Sequence, residues 1–200
     1  MKKLLILTLT LLSFCILADE RIVIGSFEQE STETESILHR VTVSEESTLN
    51  GFGARIFDFR DQGLYIGAGF SFVTGDSDLC EGSNCVSVDA TRTGFFGELG
   101  RNFGRLTPFF GASFDSKEID GGGHTDSDEP FGINAGLWLE LDKLKIRGAG
   151  VYLDDEENRA ITGGFLFQMD NKFALGAEFG MLVADEVDGF RLSLQFGRKF

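Results

Sequence analysis

Apolar and polar residues alternate at every second position along most of the chain from residue 49 onward. The last segment, GFRLSLQFGRKF, shows this clearly, because its even positions hold Phe or Leu from Phe190 to Phe196 while its odd positions are polar or Gly. A period of two is typical of a β-strand with one apolar face. Eight more segments of roughly 10 residues, rich in Gly and Phe, repeat the alternation. Residues 49–200 therefore predict nine strands.

The connections between these segments alternate in length. Short turns are predicted at residues 61–62, 102–105, 142–143 and 170–171. Longer and mostly acidic connections are predicted at residues 74–88, 116–129, 154–158 and 183–189. Short turns at one end and long loops at the other are typical of a transmembrane β-barrel, whose short turns face the periplasm and whose loops lie outside the cell.

The face opposite the apolar one carries many polar side chains. The ionisable members of this face are Arg55, Arg92, Glu98, Glu140, Lys145, Arg147, Glu178 and Arg191, and they are joined by Asn134, Trp138 and Gln195. In a soluble β-sandwich these groups would fill the core, where burying an ion without full pairing costs several kcal/mol. In a membrane barrel they line the lumen and pair there, while the phenylalanines face lipid. The pattern therefore predicts an all-β fold, a transmembrane antiparallel up-and-down β-barrel.

The number of strands follows from parity. If both chain ends lie in the periplasm the number is even, so the nine segments leave one strand to be found. One candidate is RIVIGSFEQ at residues 21–29, joined to the next strand by the acidic segment that contains ESTETE. A second candidate, ILHRVTVS at residues 37–44, either competes with the first or extends the hairpin above the membrane. We predict ten strands, with eight as the alternative.

The N-terminus has the features of a secretory signal peptide. Lys2 and Lys3 precede an apolar run of about 14 residues that ends at the small residue Ala18. A transmembrane helix would need roughly 20 such residues. The expected organisation is a signal peptide at residues 1–18 and a barrel domain at residues 19–200. Cleavage would leave 16 Lys+Arg against 32 Asp+Glu, a formal charge of -16, which argues against nucleic-acid binding.

Two cysteines follow the leader, Cys80 and Cys85 in the sequence DLCEGSNC. The four residues between them include Gly, Ser and Asn, and they allow a turn that brings the two sulfurs together. In an exported protein this spacing favours a disulfide. A metal pair is the weaker alternative, because no His or further Cys is nearby in the sequence. The bond would close a loop tip rather than a core.

The C-terminal strand resembles a known assembly signal. Phe190, Leu192, Leu194, Phe196 and Phe200 occupy the positions of the signal by which bacterial outer-membrane barrels are handed to the barrel-assembly machinery, with Arg198 as the one polar departure. The chain is similar to the small outer-membrane barrels typified by the OmpA transmembrane domain and by OmpX. The resemblance implies export to the bacterial outer membrane, with the assembly machinery, membrane lipid and lipopolysaccharide as partners. Ten strands would exceed the eight that are usual in those families.

The expected role is structural, or that of a surface-interaction protein. Ten strands enclose a narrow interior that the charged residues and Trp138 could fill. The alternative is a narrow porin-like channel for ions or small solutes, which requires that these charges leave the lumen open. The acidic connections would make a negative outer rim that attracts cations.

No enzymatic activity and no cofactor are expected. A barrel hydrolase needs a base beside a nucleophile or a water. The chain has two histidines, His39 in the uncertain N-terminal region and His124 in a Gly-rich loop. Carboxylates around His124 could collect a calcium or magnesium ion, although their spacing matches no EF-hand loop. These carboxylates are Asp120, Asp126, Asp128 and Glu129.

Overall fold

The computed structural model of the chain describes residues 20–38, 41–60, 63–82, 84–121, 124–183 and 187–200. These residues form β-strands and their connections. A helix of the length and apolarity needed to cross a bilayer is not found among them. The predicted signal peptide at residues 1–18 lies outside the described residues.

The strands are long and follow one another along the chain. They are β1 (Glu20–Leu38), β2 (Val41–Phe59), β3 (Leu64–Glu81), β4 (Asn84–Arg101), β5 (Leu106–Gly121), β6 (His124–Asp128), β7 (Phe131–Leu141), β8 (Leu144–Val151), β9 (Ala160–Gln168), β10 (Phe173–Leu182) and β11 (Val187–Lys199).

The strands close into an antiparallel barrel. Consecutive strands pair with each other except β6 and β7, and β1 pairs with β11 from Ile22–Lys199 to Thr34–Val187. Strand β5 pairs with both β6 and β7, because the ladder is interrupted at Glu129 and Pro130. Proline lacks the N–H that a ladder requires. Strands β6 and β7 therefore form one wall strand, and the prediction of a ten-stranded barrel is confirmed.

The barrel has two different ends. The turn end holds both ends of the described chain and the short connections at residues 102–105, 142–143 and 169–172, and Arg60 and Gly63 lie there as well. The hairpin end holds the tips of the β1–β2, β3–β4 and β5–β6 hairpins and the loop at residues 152–159. The predicted short turns at residues 102–105, 142–143 and 170–171 are all at the turn end, whereas residues 61–62 lie outside the described residues.

Three predicted connections are in fact strand. The ESTETE segment belongs to β1, which continues to Leu38, and residues 37–44 include the paired residues nearest the tip of the β1–β2 hairpin. The β3–β4 hairpin is extended by residues 74–81 and 84–88. The β5–β6 hairpin is extended by residues 116–121 and 124–128. The prediction of long loops there was wrong, because Thr, Val and Ile in these segments favour extended backbone and the pairing of each hairpin continues toward its tip.

The outer surface of the barrel carries an apolar belt. It consists of outward side chains such as those of Phe52, Phe110 and Phe131, which are 60%, 66% and 64% exposed. Alternation along each strand places the polar partners of these residues inside. Val151 has the inward parity of Lys145 and Arg147, and the regular alternation of β8 ends at Tyr152, where φ is 55°.

The lumen near the turn end holds an apolar core that the sequence analysis did not predict. Its buried side chains come from strands on all sides of the barrel and pack against one another. We call this cluster the aromatic plug; its members are Ile22, Ile24, Phe57, Phe59, Tyr65, Phe109, Trp138, Ala149, Leu166 and Ala174, with Phe96 packed against it.

Candidate functional site: the barrel lumen

The aromatic plug fills the lumen at the turn-end side. The rings of Phe57 and Phe59 pack edge-on against Trp138, with centroids 5.1 and 5.7 Å away. The indole Nε1–H of Trp138 donates a hydrogen bond of 3.0 Å to the Tyr65 hydroxyl. The Tyr65 hydroxyl in turn donates to Glu98 at 2.7 Å. The buried polar atoms of the plug are thereby satisfied, and the plug is connected to the ionised groups above it.

The first layer of charges lies directly above the plug, and we call it the middle ion layer. Arg147 pairs with Glu98, and it pairs with Glu178 at 3.0 Å. Arg55 pairs with the same Glu178 at 2.7 Å and with Glu28 at 3.2 Å. All five side chains are at most 14% exposed. The layer crosses the lumen, because these residues come from β1, β2, β4, β8 and β10.

A second layer, the upper ion layer, lies nearer the hairpin end. Arg92 lies 2.8 Å from Glu30 and 2.8 Å from Asp115. Arg191 lies 3.0 Å from Glu30 and 3.6 Å from Asp115. Two arginines thus share two carboxylates, and the four formal charges balance. Arg191 is the most open of the four, with 31% of its side chain exposed.

A third group of ions lies below the plug at the turn end. Lys145 is 1% exposed, and its Nζ lies 2.5 Å from Glu140 and 3.4 Å from Glu20. Glu20 also pairs with Lys199 at 3.1 Å. The Lys145 ammonium lies 4.4 Å from the centre of the Phe59 ring, so this ion packs against the plug.

All eight ionisable residues named from the sequence form ion pairs, although some of their partners lie outside that set. Lys145 pairs with Glu140, and Arg147 pairs with Glu98 and Glu178, within the predicted set. Arg92 and Arg191 instead pair with Glu30 and Asp115, which are not in that set. Glu28 and Asp115 lie within predicted strands and share their inward alternation, and Glu30 lies one residue beyond the predicted segment at residues 21–29.

The described residues of the lumen enclose cavities at two levels. One of about 110 Å³ lies between the two ion layers and is bordered by Arg55, Arg92 and Asn134. The other, of about 560 Å³, lies at the hairpin end and is bordered by residues of the β1–β2 and β5–β6 hairpins, the loop at residues 152–159, and β10 and β11. We call the larger cavity the vestibule. Glu30, Arg92 and Arg191 border both cavities, so the upper ion layer separates them.

The loop at residues 152–159 closes the wall where β8 ends. The backbone N–H of Ile133 donates to the Asp154 carboxylate at 2.7 Å. Burial by itself would raise the pKa of Asp155, but hydrogen bonds from the Asn158 side chain and from the backbone N–H groups of Glu157 and Asn158 lower it below its usual value. Asp155 therefore holds Asn158 in place beside the vestibule.

The remaining predicted groups are placed as follows. Cys80 and Cys85 face each other across β3 and β4 and are joined by a disulfide.

His39 and the side chain of His124 lie outside the described part of the chain. The four carboxylates near His124 are not brought together, because Asp126 and Asp128 border the vestibule while Asp120 has the opposite parity. Within the described ranges, no group of three or more His, Cys, Asp or Glu side chains is arranged to hold a metal.

The C-terminal strand closes the barrel. Phe190, Leu194, Phe196 and Phe200 are 38% to 63% exposed on the apolar belt side. The backbone N–H of Phe200 donates to the carbonyl of Arg21 at 2.8 Å, so the last residue is joined to the first described strand.

Known structures share this architecture. No family model and no curated protein matches the chain in sequence. Ail, the attachment invasion locus protein of Yersinia pestis, superposes with a TM-score of 0.51 at 13% identity, over 90% of this chain and 98% of Ail. The translocator domain of the autotransporter NalP from Neisseria meningitidis gives a TM-score of 0.52 at 13% identity, over 100% of this chain and 96% of that domain. The fold is that of the small outer-membrane β-barrels.

Proposed function

We propose that this chain is an integral protein of the bacterial outer membrane whose lumen is closed and whose hairpin end is a surface for interaction outside the cell. The observation that carries the proposal is the filling of the lumen by the aromatic plug and the ion layers above and below it. The role is structural or adhesive rather than catalytic.

Closure follows from the packing of the plug. Tyr65 and Phe57 are at most 1% exposed and Trp138 is 3% exposed, so these side chains pack closely across the lumen. Above the plug, an ion entering the lumen would have to displace Arg147 from Glu98 and Glu178. Truncating one partner of a buried ion pair costs about 3 to 5 kcal/mol. Both barriers oppose steady conduction.

Single-channel recording in planar bilayers tests closure. We expect the wild-type protein to show no steady conductance after insertion. A variant with Tyr65→Ala and Trp138→Ala removes two large plug side chains and is the matched positive case, in which conductance should appear. Phe110→Ala, on the lipid side, is the control that leaves the lumen unchanged. Stable ohmic channels in most wild-type insertions would favour the narrow porin-like alternative instead.

The hairpin end supports a role at the lipopolysaccharide surface. Outward carboxylates lie directly opposite each other across neighbouring strands in two rows. The rows are Glu33, Glu46 and Asp78, and Asp76, Asp89 and Asp120. Like charges in such pairs destabilise a sheet, so a divalent cation shared with lipid phosphate would relieve the repulsion.

The cation proposal has a direct test. Calcium should raise the free energy of unfolding more than sodium does at equal ionic strength, and only in vesicles that contain lipopolysaccharide, because the phosphates supply the missing ligands. Asp89→Asn, at the centre of one row, should reduce this difference. An equal effect of calcium with and without lipopolysaccharide would contradict the proposed contact.

The route to the membrane is part of the same proposal. Cleavage after Ala18 would leave a mature chain starting at Asp19, one residue before β1. The assembly machinery would then recognise the C-terminal strand through its outward apolar residues. Intact-mass measurement of protein from the envelope tests cleavage, and Phe200→Ser should slow assembly in cells while leaving refolding in detergent nearly unchanged.

A further inference from the structure

The vestibule has the size and form of a ligand site. Its volume of about 560 Å³ falls within the range of roughly 300 to 1,000 Å³ that is usual for small-molecule pockets. Its floor is the upper ion layer, and its walls carry hydroxyl groups and aliphatic side chains. The hydroxyl groups include those of Thr32 and Ser47, and the aliphatic ones include Leu49 and Ile119.

One cation at the floor, Lys117, donates its hydrogen bond to a neutral amide rather than to a carboxylate. The two arginines of the upper ion layer are balanced by Glu30 and Asp115. Lys117 borders the same cavity, and its Nζ donates a hydrogen bond of 2.8 Å to the neutral side-chain oxygen of Asn158. Among the described residues no ion pair within 4.0 Å is formed by Lys117. Lys117 therefore adds one positive charge beside the balanced upper ion layer, and a neutral amide holds its ammonium in place.

The walls above the floor are acidic. Carboxylates of Glu45, Asp126, Asp128 and Glu157 border the vestibule, and Asp128 lies directly across the β5–β6 ladder from Lys117. A simple anion would be repelled by these walls, and a simple cation would find no partner on the floor. The arrangement fits a molecule with one anionic end and several cationic groups.

We propose that the vestibule binds short cationic peptides, with the C-terminal carboxylate at Lys117 and the basic side chains against the acidic walls. This site goes beyond the proposed function, because it lies above the plug and does not depend on whether the lumen conducts. Exchange of the Asn158 amide for a carboxylate would give Lys117 a hydrogen bond in which both partners are ionised, which is stronger than the bond it makes now to a neutral amide.

The probes are trilysine and trilysine amide. The amide carries one more net positive charge, so attraction by the acidic walls alone would make it bind more tightly. The proposal requires the opposite order. We expect the free acid to bind about tenfold more tightly than the amide, the difference that one charge-assisted hydrogen bond supplies. Calorimetric titration of the barrel in uncharged micelles measures both affinities.

The variants locate the carboxylate contact. Lys117→Met should abolish the preference for the free acid, and Lys117→Gln serves in its place if the methionine variant fails to fold. Lys143→Met is the control, because Lys143 lies in a turn at the other end of the barrel. Equal binding of both probes, tighter binding of the amide, no binding of either, or a preference that survives replacement of Lys117 would each overturn the proposal.

Discussion

Arg147 is the side chain on which the middle ion layer depends most. Its guanidinium pairs with Glu98 and with Glu178, donates to the Thr162 hydroxyl at 3.1 Å, and lies 5.0 Å from the centre of the Phe109 ring. Replacement by Met keeps much of the side-chain volume and removes the charge. Arg147→Met therefore isolates the electrostatic contribution of this residue.

The two carboxylates respond differently to the loss of Arg147. Glu178 keeps Arg55 at 2.7 Å and stays paired. Glu98 is 0% exposed in its side chain, and among the described residues it keeps the hydrogen bond of 2.7 Å from the Tyr65 hydroxyl as its one remaining side-chain partner. Leaving one buried carboxylate without a cation should lower the free energy of unfolding by about 3 to 5 kcal/mol.

A double variant tests this reasoning. Adding Glu98→Gln to Arg147→Met removes the unpaired charge, so the combined loss should fall to about 1 to 2 kcal/mol, because an ion pair replaced at both ends costs little. Stability is measured by urea titration in lipid vesicles, with the folded fraction determined from the mobility of unboiled samples on gels. A double variant as unstable as Arg147→Met, or a single variant that loses less than about 1 kcal/mol, would refute the role assigned to Glu98.

Three further changes test other parts of the barrel. Phe70→Arg places a cation on the apolar belt and should lower the free energy of unfolding by about 2 to 4 kcal/mol. Asp76→Arg is the control, because Asp76 lies on the same face of β3 beyond the belt and opposite Asp89. It should lower the free energy of unfolding by less than about 0.5 kcal/mol in the same titration. Reduction of the Cys80–Cys85 disulfide should leave the barrel folded on the gel, because the short loop that it closes contributes about 2 kcal/mol at most; loss of the folded band would contradict this. Glu140→Gln should cost about 1 kcal/mol or less, since Glu140 is 35% exposed and its lysine keeps a second carboxylate; a loss of several kcal/mol would show that this second contact is not made.

The sequence alone determined the class of fold and the two faces of the wall. Alternation with a period of two specifies which side chains share a face of a strand, whichever strand lies beside it. A face rich in Phe opposite one rich in Arg and Glu is stable only where the first meets lipid and the second is enclosed. The nine alternating segments and the requirement for an even number then predicted ten strands. The structure has ten because β1 is the additional strand and β6 and β7 together form one wall strand.

The tertiary structure alone decided which charges pair and where the lumen is blocked. Glu30 and Arg191 are 161 positions apart, and Arg55 and Glu178 are 123 apart, so their contacts depend on barrel closure and on the register of every strand between them. The aromatic plug has the same origin. Ile22, Phe57, Tyr65 and Trp138 lie on the inner faces of four strands, and only closure of a narrow barrel brings them into contact, because no local pattern encodes which residues meet across a lumen.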